Sequence, residues 1–257
     1  MKIRLRDRIL WGLAIGGEIV EQIESGGSRA CDSSKLFLWT PPGYARKKFR
    51  QLVARMVREG YVQQVLVEGR PHFRLTGLGR KQLIKNKPVL SLSAGGQEWD
   101  GFWRIVIFDI AESQRKLRDL LRRQLIKMGF GALQNSTYIS CYDYSKEFLE
   151  WLDVKGLPGK VLLLESKQKY LGEPKLLAEK VWGLAAIQVK YKQVIDRVVT
   201  RFGIKEASKR EEFLKKIYRD YLEALIIDPL LPKSLLAEDW GREKAGKYLL
   251  RAGVMKE

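Results

Sequence analysis

The sequence predicts an α+β protein in three parts: a basic helix-and-hairpin unit at the N-terminus, a central unit of strands and helices, and a helical C-terminal stretch. Three patterns lead there. A basic amphipathic helix is followed at once by two strand-like runs within residues 61–75, strand and helix patterns then alternate over residues 98–172, and from residue 173 onward apolar side chains recur in steps of three and four. No internal repeat or low-complexity tract interrupts this order.

Composition sets the outer limits. A chain of 257 residues, 45% hydrophobic, is long for a single core, so more than one domain is expected. Nowhere do eighteen apolar residues run together, and the start MKIRLRDRILWGL lacks the small-residue cleavage site of a secretory signal, so the expectation is a cytoplasmic protein with no membrane partner. Two distant cysteines, Cys31 and Cys141, and a single histidine, His72, exclude zinc fingers, most redox chemistry and any Ser/His catalysis that does not pass through His72. The 48 basic residues against 30 acidic ones give a net charge of +18, more than solubility requires, and imply a polyanionic partner. The excess is concentrated early: residues 1–90 hold 18 Lys/Arg and 7 Asp/Glu, a net of +11. The expected layout is a DNA-binding domain over residues 1–85, a linker over 86–97 (NKPVLSLSAGGQ), a sheet domain over 98–172 and a helical domain over 173–257.

In the first segment, Leu5, Ile9, Leu13 and Val20 suggest an opening helix that ends before Ser25-Gly26-Gly27-Ser28. A short apolar piece, Leu36–Trp39, leads to Thr40-Pro41-Pro42-Gly43, which breaks the chain and offers Thr40 as a helix cap. The helix predicted over Tyr44–Glu59 carries Ala45, Phe49, Leu52, Val53, Met56 and Val57 on one stripe and Lys47, Gln51, Ala54 and Arg58 opposite, flanked by Lys48, Arg50 and Arg55. Six basic and no acidic residues lie between Arg46 and Arg58. A solvated face ordinarily mixes signs to gain i,i+4 pairs, so a face of one sign points to phosphates outside it. Tyr61–Val67 and Pro71–Leu75 then read as strands joined by Glu68-Gly69-Arg70, with Arg70 at the tip, and Thr76-Gly77-Leu78-Gly79 opens a short helix through Leu83. Helix, hairpin and closing helix in this order make a winged helix-turn-helix, and the phrase RLTGLGRKQL resembles the wing-to-helix transition of bacterial winged-helix regulators. His72 falls on a strand in this frame.

The middle segment offers a strand over Trp103–Ile110, an amphipathic helix over Ser113–Met128, a short strand at Thr137–Ile139, a helix over Lys146–Leu152 and a strand over Lys160–Glu165. That order fits a ferredoxin-like fold if a further strand lies near Phe130–Leu133. Asp109 then sits at a strand-to-helix turn, where a carboxylate ordinarily accepts backbone N–H bonds or faces a neighbouring arginine. In the last segment, Leu177, Val181, Leu184, Tyr191, Ile195, Val198 and Phe202 mark one long packing helix in which Gln188 is the lone polar member of the stripe. A second helix over Arg210–Leu225 presents Phe213, Ile217, Tyr221 and Leu225, spacing that suits a core or a dimer interface, and in the end segment Asp228-Pro229-Leu230-Leu231-Pro232 breaks the helix with Trp240 expected to pack the returning chain.

Together, WRIVIFDI, a basic helix, GFGALQNSTYIS, and the closing DPLLPKSLL with a downstream tryptophan resemble the PaaX family of repressors, whose central domain shares a Cas2-like core with CRISPR-associated nucleases. Ala237 departs from the proline common in that family, and the chain is shorter than typical members. The resemblance implies a homodimeric repressor on double-stranded DNA with a palindromic operator, released by an acyl-CoA effector such as an aryl-acetyl coenzyme A thioester. On the residues themselves, Lys47, Lys48, Arg50, Arg55 and Arg70 are expected at phosphates, Tyr44, Lys47 and Gln51 at base edges, and Arg58 on the same outer face. The reading is of a binding protein with no cofactor rather than a catalyst. The alternative implied by the same resemblance is a metal-dependent nuclease or CRISPR-adaptation protein in which Asp109, with Glu112, holds Mg²⁺.

Overall fold

The computed structural model describes residues 5–7, 9–10, 12–13, 31–32, 44–67, 70–86, 98–157, 159–200, 203 and 206–252. The chain divides into two units: Met1–Lys85 with Ile187–Ile227 and Trp240–Glu257 form one, and Asn86–Ala186 with Asp228–Asp239 form the other.

At the N-terminus, residues 5–7, 9–10 and 12–13 are helical; of the expected inward positions Ile9 and Leu13 are buried and Leu5 half-buried, Val20 lies outside the described residues, and Leu10 is buried as well. The apolar piece 36–39 and the proposed cap Thr40 lie outside the described residues. Helix α1 (Arg46–Arg58) starts two residues later than its apolar pattern suggests, because Tyr44 and Ala45 precede it and Ala45 is extended with φ −66° and ψ 129°. Its stripe behaves as the wheel requires: Phe49, Leu52, Val53 and Met56 are buried. At its end Gly60 N–H donates to Val57 O and Tyr61 N–H to Met56 O, a pair of bonds that satisfies the last carbonyls and turns the chain directly into β2.

A short strand β1 (Cys31–Asp32) joins β2 (Val62–Val67) and β3 (Arg70–Leu75) in an antiparallel sheet of order β1-β3-β2, with Asp32 opposite His72 and Val62 opposite Leu75. The turn residues 68–69 lie outside the described residues. Thr76 closes this part: its hydroxyl donates to Gly60 O at 2.5 Å and accepts from Gly79 N–H at 3.0 Å, capping α2 (Gly77–Asn86) while tying it to the end of α1. The helix backbone passes so near Tyr61 that a Cβ on Gly79 would stand 2.1 Å from the Tyr61 carbonyl oxygen.

The central strands and helices run β4 (Phe102–Phe108), α3 (Arg115–Lys127), β5 (Gly131–Gln134), β6 (Thr137–Ser140), α4 (Ser145–Val154) and β7 (Val161–Lys167). The sheet order β5-β6-β4-β7, antiparallel throughout, is that of a ferredoxin-like domain, and β5 supplies the strand expected near residues 130–133. Across the sheet Ile105 is flanked by Ile139 and Leu164, and Val106 by Tyr138 and Leu163. Val106, Phe108, Tyr138, Leu121, Leu125 and Phe148 are buried together with the sheet's other core residues, and the Phe108 and Tyr138 rings stack at 6.0 Å. Trp103, wholly buried, lies 4.9 Å from the Trp99 ring and 6.2 Å from that of Trp182.

The long helix expected over residues 177–202 is two helices. Glu173 caps α5 (Pro174–Trp182) by accepting from Leu176 N–H, and Gly183 ends it in the left-handed conformation at φ 61° before α6 (Leu184–Thr200) begins. A break one residue long leaves the apolar rhythm nearly in step, which is why the periodicity hides it. Within the central unit α5 seats directly on β5, where a Cβ on Gly131 would lie 2.1 Å from Val181 Cγ1.

Among the described residues of this sheet, two polar ones, Arg104 and Ser140, are buried. Arg104 bonds Asp100 in bidentate fashion at 2.9 and 2.6 Å and Glu165 at 3.0 Å, with Asp143 at 3.6 Å. Desolvation works against the Asp100 carboxylate, but the bond to Arg104, the Phe102 N–H and the nearby guanidinium charge outweigh it and hold the group below its ordinary value; Asp143 is held low chiefly by the Ser145 N–H and hydroxyl. Lowered carboxylates contribute stability above the unfolded-state value and lose it as pH falls through the folded-state one. Arg104→Met is therefore expected to cost about 1–3 kcal/mol at pH 7. That gap to wild type should narrow as pH falls below the ordinary carboxylate value of about 4 and on through the lower one at which Asp100 protonates in the folded wild type. Urea unfolding at pH 7 and pH 3 reads this directly, and a gap independent of pH would count against it.

The remaining helices are α7 (Ala207–Ile227) and α8 (Gly241–Arg251). Tyr191 of α6 packs against Tyr221 at 6.1 Å and edge-on against Trp240 at 5.8 Å, the packing role expected of that tryptophan. Gln188, the polar member of the stripe, is buried and accepts from Gly241 N–H at 2.9 Å, so it serves an otherwise unpaired donor at the start of α8. Arg197 pairs with Asp220 and lies over the Phe213 ring. In the second unit, the Asp228 carboxylate accepts from Leu230 N–H at 2.7 Å while Tyr142 donates its hydroxyl to Leu230 O, fixing Leu230 at φ 57°.

Candidate nucleic-acid interface

The site grows from the amphipathic division of α1. Because Phe49, Leu52, Val53 and Met56 turn inward, Lys47, Lys48, Arg50, Gln51, Ala54, Arg55 and Arg58 stand outward and exposed. Among the described residues, Lys47, Lys48, Arg50, Arg55 and Arg58 form no ion pair with a carboxylate. The first turn bears Arg46, Lys47 and Lys48 and no acid, and Ala45 provides no side-chain cap. Cations at the positive end of a helix dipole are unfavourable by themselves, and an external anion relieves both the charges and the open N–H groups.

The structure brings the helix residues of the expected site together on this one face. Tyr44 is half-buried and precedes the helix by two residues. Arg70 opens β3 opposite Val67, at the hairpin end of the small sheet. His72 lies mid-strand between Val65 and Asp32, a strand position as expected. The contribution of β1 to this sheet is absent from the sequence reading, since two residues carry no alternation to detect.

The carboxylates of the alternative reading have separate surroundings. Asp109 is exposed just past β4, and its backbone N–H donates to Lys160 O at 3.2 Å. Glu112 is bound to Arg118 at 2.6 Å, and that bond, with the charge behind it, holds its carboxyl below the ordinary range. No group of three His, Cys, Asp or Glu able to hold a metal ion occurs among the described residues. Cys141 is buried, and burial pushes its thiol well above the usual range, which leaves it unsuited to nucleophilic work. No helix among the described residues is long and apolar enough to cross a membrane.

Comparison with known proteins adds three findings. Residues 96–178 match the family model described as the PaaX protein central Cas2-like domain, and residues 182–252 match that of the PaaX-like protein C-terminal domain. A solved structure, the uncharacterized protein Rv0674 from Mycobacterium tuberculosis, superposes with a TM-score of 0.52 at 17% identity, covering 96% of each chain, a likeness of fold alone. A search of curated proteins finds no match.

Proposed function

Since the chain belongs to the PaaX family, we propose that this PaaX-like regulator is a transcriptional repressor that holds duplex DNA through the outer face of α1. The observation that carries the proposal is that face: six basic residues and no acid over thirteen positions, mounted on a buried apolar stripe. Such a surface binds phosphates by releasing their counterions. Lys47, Lys48, Arg50, Arg55 and Arg70 are assigned to the backbone, Arg58 to the same face, and Tyr44, Lys47 and Gln51 to base edges in the major groove. A homodimer would offer two such helices to half-sites one or more helical turns apart on a palindromic operator. Release by an acyl-CoA thioester belongs to the same reading and rests on family membership.

The test is salt-dependent binding. Fluorescence anisotropy with a mixed-sequence duplex should give affinity that falls steeply with salt, and Lys47→Ala with Arg50→Ala should reduce the slope of log affinity against log salt by about two. An unchanged slope would remove those residues from the interface. Incubation with Mg²⁺ or Mn²⁺ addresses the nuclease alternative, since divalent-dependent cutting abolished in Asp109→Ala would overturn the repressor reading.

A further inference from the structure

The charge of the central domain is unevenly spread. Residues 98–186 carry 14 basic and 12 acidic side chains, yet six of the basic ones and a single acid, Asp119, belong to α3. Without that helix, the same stretch has 8 basic and 11 acidic residues. Solubility needs no such polarisation, and a helix that lacks internal partners for its cations carries a repulsive cost of its own.

The geometry of α3 shows how few of those charges are neutralised. Leu121 and Leu125 turn inward, so Arg115, Lys116 and Arg123 stand exposed on the outer side. Arg118 is taken by Glu112, and Arg115 reaches Asp119 only at 3.9 Å with its side chain largely in solvent, a pair of little worth. Among the described residues, Lys116 and Arg123 have no carboxylate partner. Arg122 donates to the carbonyl of Asn135 at 2.6 Å, which fixes the guanidinium without cancelling its charge. Lys160, held to Gln114 at 3.2 Å, adds a cation beside the start of the helix. A helix of thirteen residues is about 20 Å long, roughly six base-pair rises of duplex.

We propose that the outer face of α3, through Arg115, Lys116, Arg122 and Arg123, is a second surface for the phosphate backbone of duplex DNA, independent of α1. It contributes affinity and no sequence preference, because phosphates are the same at every base pair. The inference rests on the reading of the chain as a DNA-binding regulator.

The experiment uses the full chain and a mixed-sequence duplex of about 40 base pairs, with affinity measured across a salt series. Arg115→Gln, Lys116→Gln and Arg123→Gln are combined in one variant; all three positions are exposed, and an unchanged melting temperature confirms that the fold is retained. The expected result is a loss of about ten- to a hundredfold in affinity and a salt slope lower by two to three. The Lys47→Ala, Arg50→Ala variant runs alongside. If it weakens binding while the α3 variant equals wild type, the α3 surface is overturned and the α1 reading stands. If only the α3 variant weakens, this inference holds and the α1 assignment falls. Wild type that binds no duplex overturns both. Polyglutamate is the last arm: loss of its binding with duplex affinity unchanged would assign the face to an acidic polypeptide and overturn the proposal.

Discussion

Trp103→Ala is expected to destabilise the second unit by about 3–5 kcal/mol, the largest effect of any single substitution considered. The indole is wholly buried near the start of β4, in ring contact with both Trp99 and Trp182. Truncation removes its transfer free energy and leaves a void bounded by two rigid rings and the sheet, which cannot close over it. Trp103 Nε1 has no hydrogen-bond partner among the described residues, so Trp103→Phe forfeits area but no bond and should retain most of the stability. Denaturant unfolding followed by near-ultraviolet circular dichroism measures both. A loss below about 1 kcal/mol for the alanine variant would mean that the tryptophan cluster is not a packed core.

Gly79→Ala is expected to cost about 3 kcal/mol in the N-terminal part and to lower DNA affinity, although residue 79 faces no DNA in the proposed function. The new Cβ would lie 2.1 Å from the Tyr61 carbonyl oxygen and 2.7 Å from Leu75 Cδ1. The first obstacle is backbone, so relief requires α2 to move away from the junction of α1 and β2. That movement pulls on the Thr76 hydroxyl, which holds Gly60 and Gly79 at once. Gly77→Ala is the control, because nothing lies within 4 Å of its would-be Cβ. Thermal unfolding and duplex binding of the two variants should diverge, and equal behaviour would show that the close approach has no structural role.

Much of this architecture is legible where periodicity and local chemistry agree. The stripe Phe49, Leu52, Val53 and Met56 reports α1, and the ferredoxin order follows from three strand-like runs and two helical ones, with β5 inferred only from the missing place in the sheet. The site face is readable for the same reason: once inward residues are known, the outward ones follow from 3.6 residues per turn. What escaped notice depends on tertiary contact. Two residues at β1 gain strand character only from the neighbouring β3. Gly183 interrupts a helix without disturbing its rhythm, because one left-handed residue shifts the apolar phase too little to see. Gln188 is visible as an exception in the stripe, but its reason, the amide of Gly241, is 53 residues away. The cations of α3 were equally visible, and their weight appears only when the carboxylates that could neutralise them are located in space.

The segment Asp228–Asp239 leaves α7, contributes to the second unit, and hands the chain back at Trp240. No single proteolytic nick can therefore excise either unit as a continuous fragment, and a polypeptide ending before residue 228 would strip the Tyr142 hydroxyl of its acceptor at Leu230. Each unit is thus woven from more than one stretch of chain, and the DPLLP segment, which opens the returning strand of polypeptide, belongs to the second.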